Sequence, residues 1–374
     1  MTFRAEVVGS LLRPPALRAA VEEFYGEGHH AVLPEEREAD RSALVAAEDE
    51  AIRDAVQRQV DLGLDVVTDG EFRRWMFLNS FWDAVEGFST DRNPVEFRAD
   101  DGSTITWNVQ RIEERLRPVD SPAAREAAFL AEITEHPFKV TFPAASLFAL
   151  PFTFKPGVND HAYRDLDELV DHCVEIERGL VADAVAAGCR YVQFDFPAYP
   201  YFCDPRWEAA LDEIGWTVER AMAVAERADR AVVAGLPDDV TTAMHVCRGN
   251  NQSRYVCEGP LDPVAETLFG LPYDVLLVEW EDPERMGDFS ALRALPADGP
   301  TVVLGLVSSK HTAMDDDATI LGRIEDAAAH VDLDRLALST QCGFASTLPG
   351  NAVGEDAQWA KLDQVVRLAR QVWS

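Results

Sequence analysis

The segment AMHVCRGNNQSR, residues 243–254, places a histidine and a cysteine two positions apart at the end of an apolar run. His245 and Cys247 would project to the same side of a β-strand, because side chains alternate along a strand. Imidazole and thiolate groups are ligands that zinc and several other transition metals prefer. The spacing therefore predicts half of a metal site, and the remaining ligands must come from other parts of the chain.

Short apolar runs supply the elements that would position such a site. Most of them are followed by an amphipathic helical pattern, as at residues 166–188 and 207–228, and this alternation is typical of a parallel sheet covered by helices. Eight such units predict an α/β protein with a closed (β/α)8 TIM barrel, and 374 residues fit one catalytic barrel domain, 1–374. The eight predicted strands are residues 5–10, 64–71, 138–144, 190–197, 240–247, 273–280, 301–309 and 335–342.

A long insertion, residues 72–137, interrupts the regular spacing between the second and third predicted strands. It contains the pattern NPVEFRADDGSTITWNVQ, which predicts a β-hairpin around Asp100–Gly102. Insertions after a barrel strand extend the face of the barrel that carries the active site. We therefore expect the insertion to lie on that face.

The C-terminal ends of the predicted strands carry candidate ligands, as reactive groups do in barrel enzymes. Besides His245 and Cys247, Glu279 ends the sixth predicted strand and Cys342 ends the eighth. A lone cysteine there is usually a small buried hydrophobe, and a lone histidine is as often a core residue. As a set, one imidazole, two thiolates and one carboxylate form a tetrahedral group suited to zinc. Iron and cobalt remain open, since the same ligands suit several metals.

Charge and composition restrict the partners of the protein. The chain has 66 acidic and 34 basic residues, a net charge of −32, which repels nucleic acid and anionic membranes. No apolar run approaches the roughly 20 residues that cross a bilayer, and the first residues lack the pattern of a signal sequence. We expect a cytoplasmic protein whose six scattered cysteines are reduced thiols.

Motifs distributed over most of the chain resemble the cobalamin-independent methionine synthase family, specifically its catalytic C-terminal barrel in a single-barrel form. The combination of HVC with QCGF is the most specific part of the resemblance. The motifs are VGSLLRP (8–14), VVTDGEFRR (66–74), QFDFP (193–197), HVC (245–247), VEWED (278–282), VLGLVSSK (303–310) and LALSTQCGFAS (336–346).

The resemblance implies a Zn²⁺ ion bound by the four strand-end residues named above. It also implies that Gly9, Ser10 and Glu71 hold the amino acid part of a thiol substrate, and that Asp195 is an acid near that substrate. Glu71 has an alternative interpretation from the sequence, in which it forms a helix-capping pair with Asp69.

The implied reaction is the transfer of an alkyl group, above all methyl, to a small thiol such as homocysteine, as in methionine biosynthesis. A free thiol has a pKa near ~8.5 and is mostly protonated at neutral pH, whereas a zinc-bound thiolate is a nucleophile. The expected partners are therefore a small thiol and an alkyl donor. A homo-oligomer and a separate methyl-donor protein are both compatible with the sequence.

The chain departs from the family pattern at two catalytic positions. Asp195, Phe196 and Pro197 stand where the family has Asp-Glu-Pro. Lys310, in SSKHT, stands at or beside the position of a histidine that the family uses with an acid to deliver a proton. These departures point away from methyltetrahydrofolate as the donor. Lys310 is a candidate catalytic residue that protonates a leaving atom or binds an anionic group; alternatively it is a solvated loop lysine.

Three other functions fit parts of the pattern. An epoxyalkane:coenzyme M transferase-like enzyme would open an epoxide with a zinc thiolate, and Lys310 or Arg248 would meet a sulfonate or the ring-opened oxygen. A uroporphyrinogen decarboxylase-like barrel uses no metal and needs arginines in its cavity. A non-catalytic zinc-binding protein would have a saturated metal and no use for Ser10 and Glu71.

Overall fold

A seven-stranded parallel sheet forms the centre of the molecule in the computed structural model, which describes residues 3–25, 40–151 and 154–373. The strands in chain order are β1 Ala5–Glu6, β2 Val85–Arg98, β3 Thr104–Pro118, β4 Val140–Pro143, β5 Tyr191–Asp195, β6 Thr241–Val246, β7 Val275–Glu279, β8 Thr301–Val307 and β9 Leu336–Thr340. Their order in the sheet is β1-β9-β8-β7-β6-β5-β4, with every neighbouring pair parallel. The predicted α/β class with a parallel sheet is confirmed.

The second predicted strand, residues 64–71, is not a regular strand. Val66 forms an isolated parallel bridge with Glu6, and Val67 forms another with Phe138. These bridges place the segment against β1 on one side and next to β4 on the other. A side chain takes over part of the pairing with β1, because the Asp65 carboxylate accepts hydrogen bonds from the backbone N–H of Arg4, at 2.6 Å, and of Ala5, at 3.0 Å.

Helices follow most of the strands, as the alternation predicts. Between them lie short 3₁₀ turns at Ala145–Ala149, Tyr199–Cys203, Asp262–Val264, Phe289–Ala294 and Leu333–Arg335. None of the helices in the described ranges is both long and apolar enough to span a bilayer. The helices are α1 Pro15–Tyr25, α2 Ser42–Leu62, α3 Asn79–Trp82, α4 Pro122–Ile133, α5 Leu166–Ala186, α6 Pro205–Asp212, α7 Val218–Val233, α8 Ala265–Phe269, α9 Pro283–Met286, α10 Asp317–Ala328 and α11 Glu355–Val372.

The prediction of one helix over residues 207–228 is wrong, since α6 ends at Asp212 and α7 begins at Val218. Gly215 between them adopts φ +76°, a left-handed conformation that glycine reaches without steric cost. The side chain of Thr217 then accepts a hydrogen bond from the backbone N–H of Arg220 and caps the second helix.

The insertion contributes a two-stranded antiparallel sheet, β2–β3. Arg98 pairs with Thr104, so the turn lies at residues 99–103. The end of the hairpin contacts the loop that follows β6, because Arg98 and Tyr255 exchange backbone hydrogen bonds of 2.7 and 2.9 Å. An ion pair of 2.8 Å between Arg285 and Asp100 adds a side-chain contact at the same place. The hairpin therefore packs against the loop directly after His245 and Cys247.

An ion pair lies buried inside the sheet. Lys139 Nζ lies 2.9 Å from Glu6 Oε2, and the side chains of both residues are at most 1% exposed. The Tyr191 hydroxyl donates to the same carboxylate at 2.9 Å. Around this group lies a compact apolar cluster, Val8, Val66, Ala243, Val275, Leu277, Val303 and Ala337.

Candidate metal centre

Three of the predicted ligands come together at the C-terminal edge of the sheet. His245 and Cys247 flank the last residue of β6, and Cys342 follows β9 by two residues. One ligand atom from each of these residues lies within 4.8 Å of the others, and all three side chains are buried. Parallel strands end at one edge of a sheet, which is why ligands from distant parts of the chain meet here.

The chemistry of this group fits a zinc ion. His245 Nδ1 lies 3.3 Å from the Leu277 carbonyl oxygen, while Nε2 is buried without a hydrogen-bond partner among the described residues. A buried polar atom without a partner is costly, and a metal-bound histidine typically gives its other nitrogen to a carbonyl or carboxylate. One imidazole nitrogen and two sulfurs are donors that zinc prefers.

The two cysteines differ in their affinity for a proton. A hydrogen bond from Cys247 and the positive charges of His245 and Lys310 hold the pKa of the Cys342 thiol well below its usual range, against the effect of burial. The same hydrogen bond, together with burial, raises the pKa of Cys247. The two thiols therefore differ in how readily they lose a proton, and both must be deprotonated to bind a divalent cation.

The fourth predicted ligand, Glu279, lies outside this group of three. Its Oε1 is 2.5 Å from Lys310 Nζ, and its Oε2 accepts a hydrogen bond of 3.1 Å from the backbone N–H of Arg248. The Lys310 ammonium also contacts Glu281 Oε2 at 3.0 Å. Lys310 is thus a buried, paired residue and not a solvated loop lysine. Coordination of the metal by Glu279 stays a prediction.

A pocket opens beside the three ligands, and most of the predicted substrate residues line it. Ser10, Glu71 and Asp195 contribute polar groups, whereas Lys310 is not among the lining residues. Phe77 also lines the pocket, as do five further residues that the sequence analysis did not select as candidates. These additional lining residues are Val8, Phe196, Asn250, Gly343 and Ser346.

Glu71 presents one free carboxylate oxygen. Its Oε1 accepts a hydrogen bond of 2.9 Å from Thr141 Oγ1, while Oε2 is buried without a partner among the described residues. Its backbone adopts φ +56°, and its N–H donates to Asp69 Oδ1 at 2.8 Å. Burial raises the pKa of Glu71, although the nearby Arg74 guanidinium opposes this effect. A free acceptor of this kind suits the ammonium group of an amino acid.

Asp195 lies directly opposite His245 in the pairing of β5 with β6. Its Oδ1 accepts a hydrogen bond of 2.7 Å from Gln193 Nε2. Burial raises its pKa to about 7, and the charge of His245 opposes the rise. A carboxyl group with this pKa can either hold or release a proton at neutral pH, which is the property of a general acid or base.

Ser10 and Asn250 support the turn that carries Cys342. Ser10 Oγ accepts from the backbone N–H of Ala345 at 3.2 Å, and Asn250 Nδ2 donates to the Gly343 carbonyl at 2.9 Å. A Cβ atom on Gly343 would lie 2.1 Å from Ser10 Oγ, so any larger residue at this position must displace the Ser10 hydroxyl. The sequence signal for Asn250 was its place in CRGNN, directly after Cys247.

Gly9 keeps the Glu71 carboxylate in place, although it does not itself line the pocket. A Cβ atom at residue 9 would lie 2.5 Å from Glu71 Oε1, so Gly9→Ala must displace that carboxylate. We expect KM for the thiol substrate to rise roughly tenfold to a hundredfold, because small misplacements of binding groups cost about this much. Steady-state kinetics and metal analysis measure the effect, and metal content should not change.

Gly179→Ala, in α5, is the matched control, since its Cβ would meet nothing within 4 Å. A wild-type KM in Gly9→Ala would contradict the role assigned to Glu71.

Comparison with known proteins places the chain among related sequences and folds. No family model matches it. It is 33% identical over 374 residues to the uncharacterised protein YxjH of Bacillus subtilis (strain 168), covering 99% of this chain and 95% of that protein. It is also 34% identical over 385 residues to the uncharacterised protein YxjG of the same organism, with the same coverage of both chains.

Solved structures share its fold over the whole chain. A provisionally named vitamin-B12 independent methionine synthase from Listeria monocytogenes has a TM-score of 0.71 and 27% identity, covering 100% of this chain and 98% of that one. A B12-independent methionine synthase from Shewanella sp. W3-18-1, in complex with selenomethionine, has a TM-score of 0.72 and 20% identity, with the same coverage. A methyltransferase from Methanosarcina mazei has a TM-score of 0.52 and 13% identity, covering 100% and 96%.

The predicted resemblance is thus confirmed by full-length neighbours in structure. The likeness to the Shewanella and Methanosarcina proteins concerns the fold alone, whereas the Bacillus relatives share a third of their residues with this chain. The chain belongs to the family of YxjH and YxjG, and it resembles the cobalamin-independent methionine synthases in structure over its full length.

Proposed function

We propose that this protein transfers a methyl group to the sulfur of a small thiol such as homocysteine, with zinc held at His245, Cys247 and Cys342. The observation that carries the proposal is the meeting of these three donors within 4.8 Å, at a pocket that Glu71 and Asp195 also line. The Listeria neighbour, provisionally named a vitamin-B12 independent methionine synthase, supports the same reaction class.

We further infer that the parallel sheet is closed as a (β/α)8 barrel and that residues 1–374 form one catalytic domain. The bridges of Val66 and Val67 to both edges of the sheet support closure, since they supply the contacts of an eighth strand. The hairpin of the insertion pairs with the loop after β6, which supports its place on the active-site face.

A bound zinc ion would lower the pKa of the substrate thiol, so that the thiolate is present at neutral pH. The free Oε2 of Glu71 would accept a hydrogen bond from the substrate ammonium, and Thr141 would keep the other oxygen in place. Asp195, whose pKa burial raises to about 7, would receive or return a proton beside the metal. The sulfur then forms a bond to the methyl carbon as the bond from that carbon to its donor breaks.

The alternatives fit this pocket less well. A coenzyme M-like thiol carries a sulfonate, but the lining residues include no lysine or arginine, and Lys310 and Arg248 are bound to Glu281. A uroporphyrinogen decarboxylase-like enzyme would need arginines in the same place. A non-catalytic zinc protein would have no need of a carboxylate oxygen left free beside the metal.

The proposed function is tested by zinc analysis and X-ray absorption at the metal, with and without homocysteine. We expect one zinc ion per chain and one additional sulfur ligand when homocysteine is present. Homoserine, the same amino acid with a hydroxyl in place of the thiol, is the control and should add no sulfur. A coordination shell that does not respond to homocysteine would refute thiol activation, and a protein without metal would refute the whole proposal.

A further inference from the structure

The Arg74 guanidinium is linked to the candidate substrate residue Glu71 through one hydroxyl group, that of Thr141. Its Nε and Nη2 groups donate to the two carboxylate oxygens of Glu126, at 2.9 and 2.5 Å. Its Nη1 group donates to Thr141 Oγ1 at 2.7 Å and to the Phe77 carbonyl at 3.2 Å, and Nη2 also donates to the Thr141 carbonyl at 3.0 Å. A guanidinium has five N–H donors, and each of them has an acceptor here.

The contact with Arg74 determines the direction in which the Thr141 hydroxyl donates. A guanidinium nitrogen cannot accept a hydrogen bond, so Thr141 Oγ1 is the acceptor of this contact. The one proton of the hydroxyl is then left for Glu71 Oε1, 2.9 Å away. Glu71 therefore has one oxygen held by Thr141, while its Oε2 is buried without a partner among the described residues.

The same contacts favour the charged form of the Glu71 carboxylate. Burial raises the pKa of Glu71, and the negative charge of Glu126 adds to the rise. The positive charge of Arg74 and the hydrogen bond from Thr141 oppose it. A charged carboxylate binds an ammonium group through a charge-assisted hydrogen bond, which is stronger than a hydrogen bond between neutral groups.

Glu126 lies on α4, inside the insertion of residues 72–137, and it holds Arg74 in place. The side chains of both residues are only 3% exposed. Two parallel N–H···O bonds between a guanidinium and a carboxylate fix the plane of the guanidinium. The insertion thus contributes to the site through a buried ion pair as well as through its hairpin.

We propose that Arg74 and Glu126 are positioning residues that set the substrate preference of the pocket. Through Thr141 they hold one oxygen of Glu71 and leave the other free, so that the pocket selects thiols carrying an ammonium group, the class of amino acid thiols. The inference rests on the proposed function, because it takes the substrate thiol to bind at the metal group beside Glu71. A site that hydrogen-bonds a polar group of its ligand discriminates strongly against the analogue without that group.

The test compares homocysteine with 4-mercaptobutanoate, which is the same molecule without its ammonium group. Isothermal titration calorimetry measures the binding of each thiol to the zinc-loaded protein. We expect the wild type to bind homocysteine at least about tenfold more tightly, because only the ammonium compound donates to Glu71.

The double variant Glu126→Gln/Arg74→Met removes both charges of the buried pair, so that neither is left uncompensated. Its homocysteine affinity should fall about tenfold to a hundredfold, because the Thr141 proton is no longer committed to Glu71 and the charge of Arg74 is lost. Its affinity for 4-mercaptobutanoate, which has no group for Glu71, should stay at the wild-type value.

Thr141→Val and Thr141→Ser form a matched pair, and they give an independent measurement should the double variant fail to fold. Valine lacks the hydroxyl but has a similar shape, so Glu71 Oε1 loses its donor and the preference for homocysteine should fall about tenfold. Serine keeps the hydroxyl and should retain the preference. We expect one zinc ion per chain in both variants, because neither change touches the group of three ligands.

Three results would overturn the inference. One is a wild-type preference for homocysteine in the folded double variant or in folded Thr141→Val. Another is an equal loss of affinity for both thiols, since that loss would not involve the ammonium group. The third is equal affinity of the wild type for the two thiols. A wild-type protein whose metal binds neither thiol would instead refute the proposed function, so the two failures are distinguishable.

Discussion

Cys342→Ala should leave the protein without its metal and reduce methyl transfer to homocysteine by at least about a thousandfold, which corresponds to roughly 4 kcal/mol of transition-state stabilisation. Cys342 supplies one of the three donor atoms that meet within 4.8 Å, and it has the thiol with the lowered pKa. Removing it leaves one imidazole and one thiol of the group of three, which is too few ligands for a tetrahedral ion. Zinc analysis of the purified variant and initial rates with homocysteine measure the two effects.

Cys203→Ala is the matched control for this experiment. Cys203 lies outside the group of three, and its thiol donates to the Tyr199 carbonyl at 3.7 Å. We expect it to retain one zinc ion per chain and wild-type rates. If Cys342→Ala retained stoichiometric zinc, the ligand assignment at the centre of the proposed function would be wrong.

Lys139→Met should lower the free energy of unfolding by about 3–5 kcal/mol, the range observed when one partner of a buried ion pair is removed. Lys139 and Glu6 form their contact of 2.9 Å inside the sheet, where both side chains are at most 1% exposed. Without the ammonium, Glu6 must either remain as an uncompensated buried charge or take up a proton. The midpoint and slope of urea unfolding at neutral pH give the change in stability.

The double variant Glu6→Gln/Lys139→Met tests whether the loss comes from the unpaired charge. The amide oxygen of the introduced glutamine would still offer an acceptor to the Tyr191 hydroxyl, which donates to Glu6 in the wild type. Removing both charges should therefore restore most of the stability lost in Lys139→Met, because paired buried charges are often replaceable by neutral groups. If the free energy of unfolding of Lys139→Met were within about 1 kcal/mol of the wild-type value, the ion pair would not be needed for stability.

Local patterns in the sequence predicted the parallel sheet and the helix α5, expected over residues 166–188 and observed over Leu166–Ala186, because alternation and helical periodicity depend on near neighbours. They failed where one residue changed the path of the chain. Gly215, with φ +76°, divides one predicted helix into two, and Asp65 replaces backbone pairing with side-chain hydrogen bonds in the second predicted strand. Both effects depend on a single conformation or contact that periodicity does not encode.

The candidate site likewise combines features that local sequence predicts with features that only folding determines. The His-x-Cys spacing is local, so the sequence alone determined that the side chains of His245 and Cys247 lie on the same side of a strand end. Only the tertiary structure brought Cys342 beside them and placed Phe77 in the pocket. It also placed the Glu279 carboxylate 2.5 Å from the Lys310 ammonium.

These contacts join residues far apart in the chain, and their geometry depends on the order of strands in the sheet. Residue type predicts which atoms can bind a metal. Which of them meet at one place depends on how folding arranges the strands that carry them.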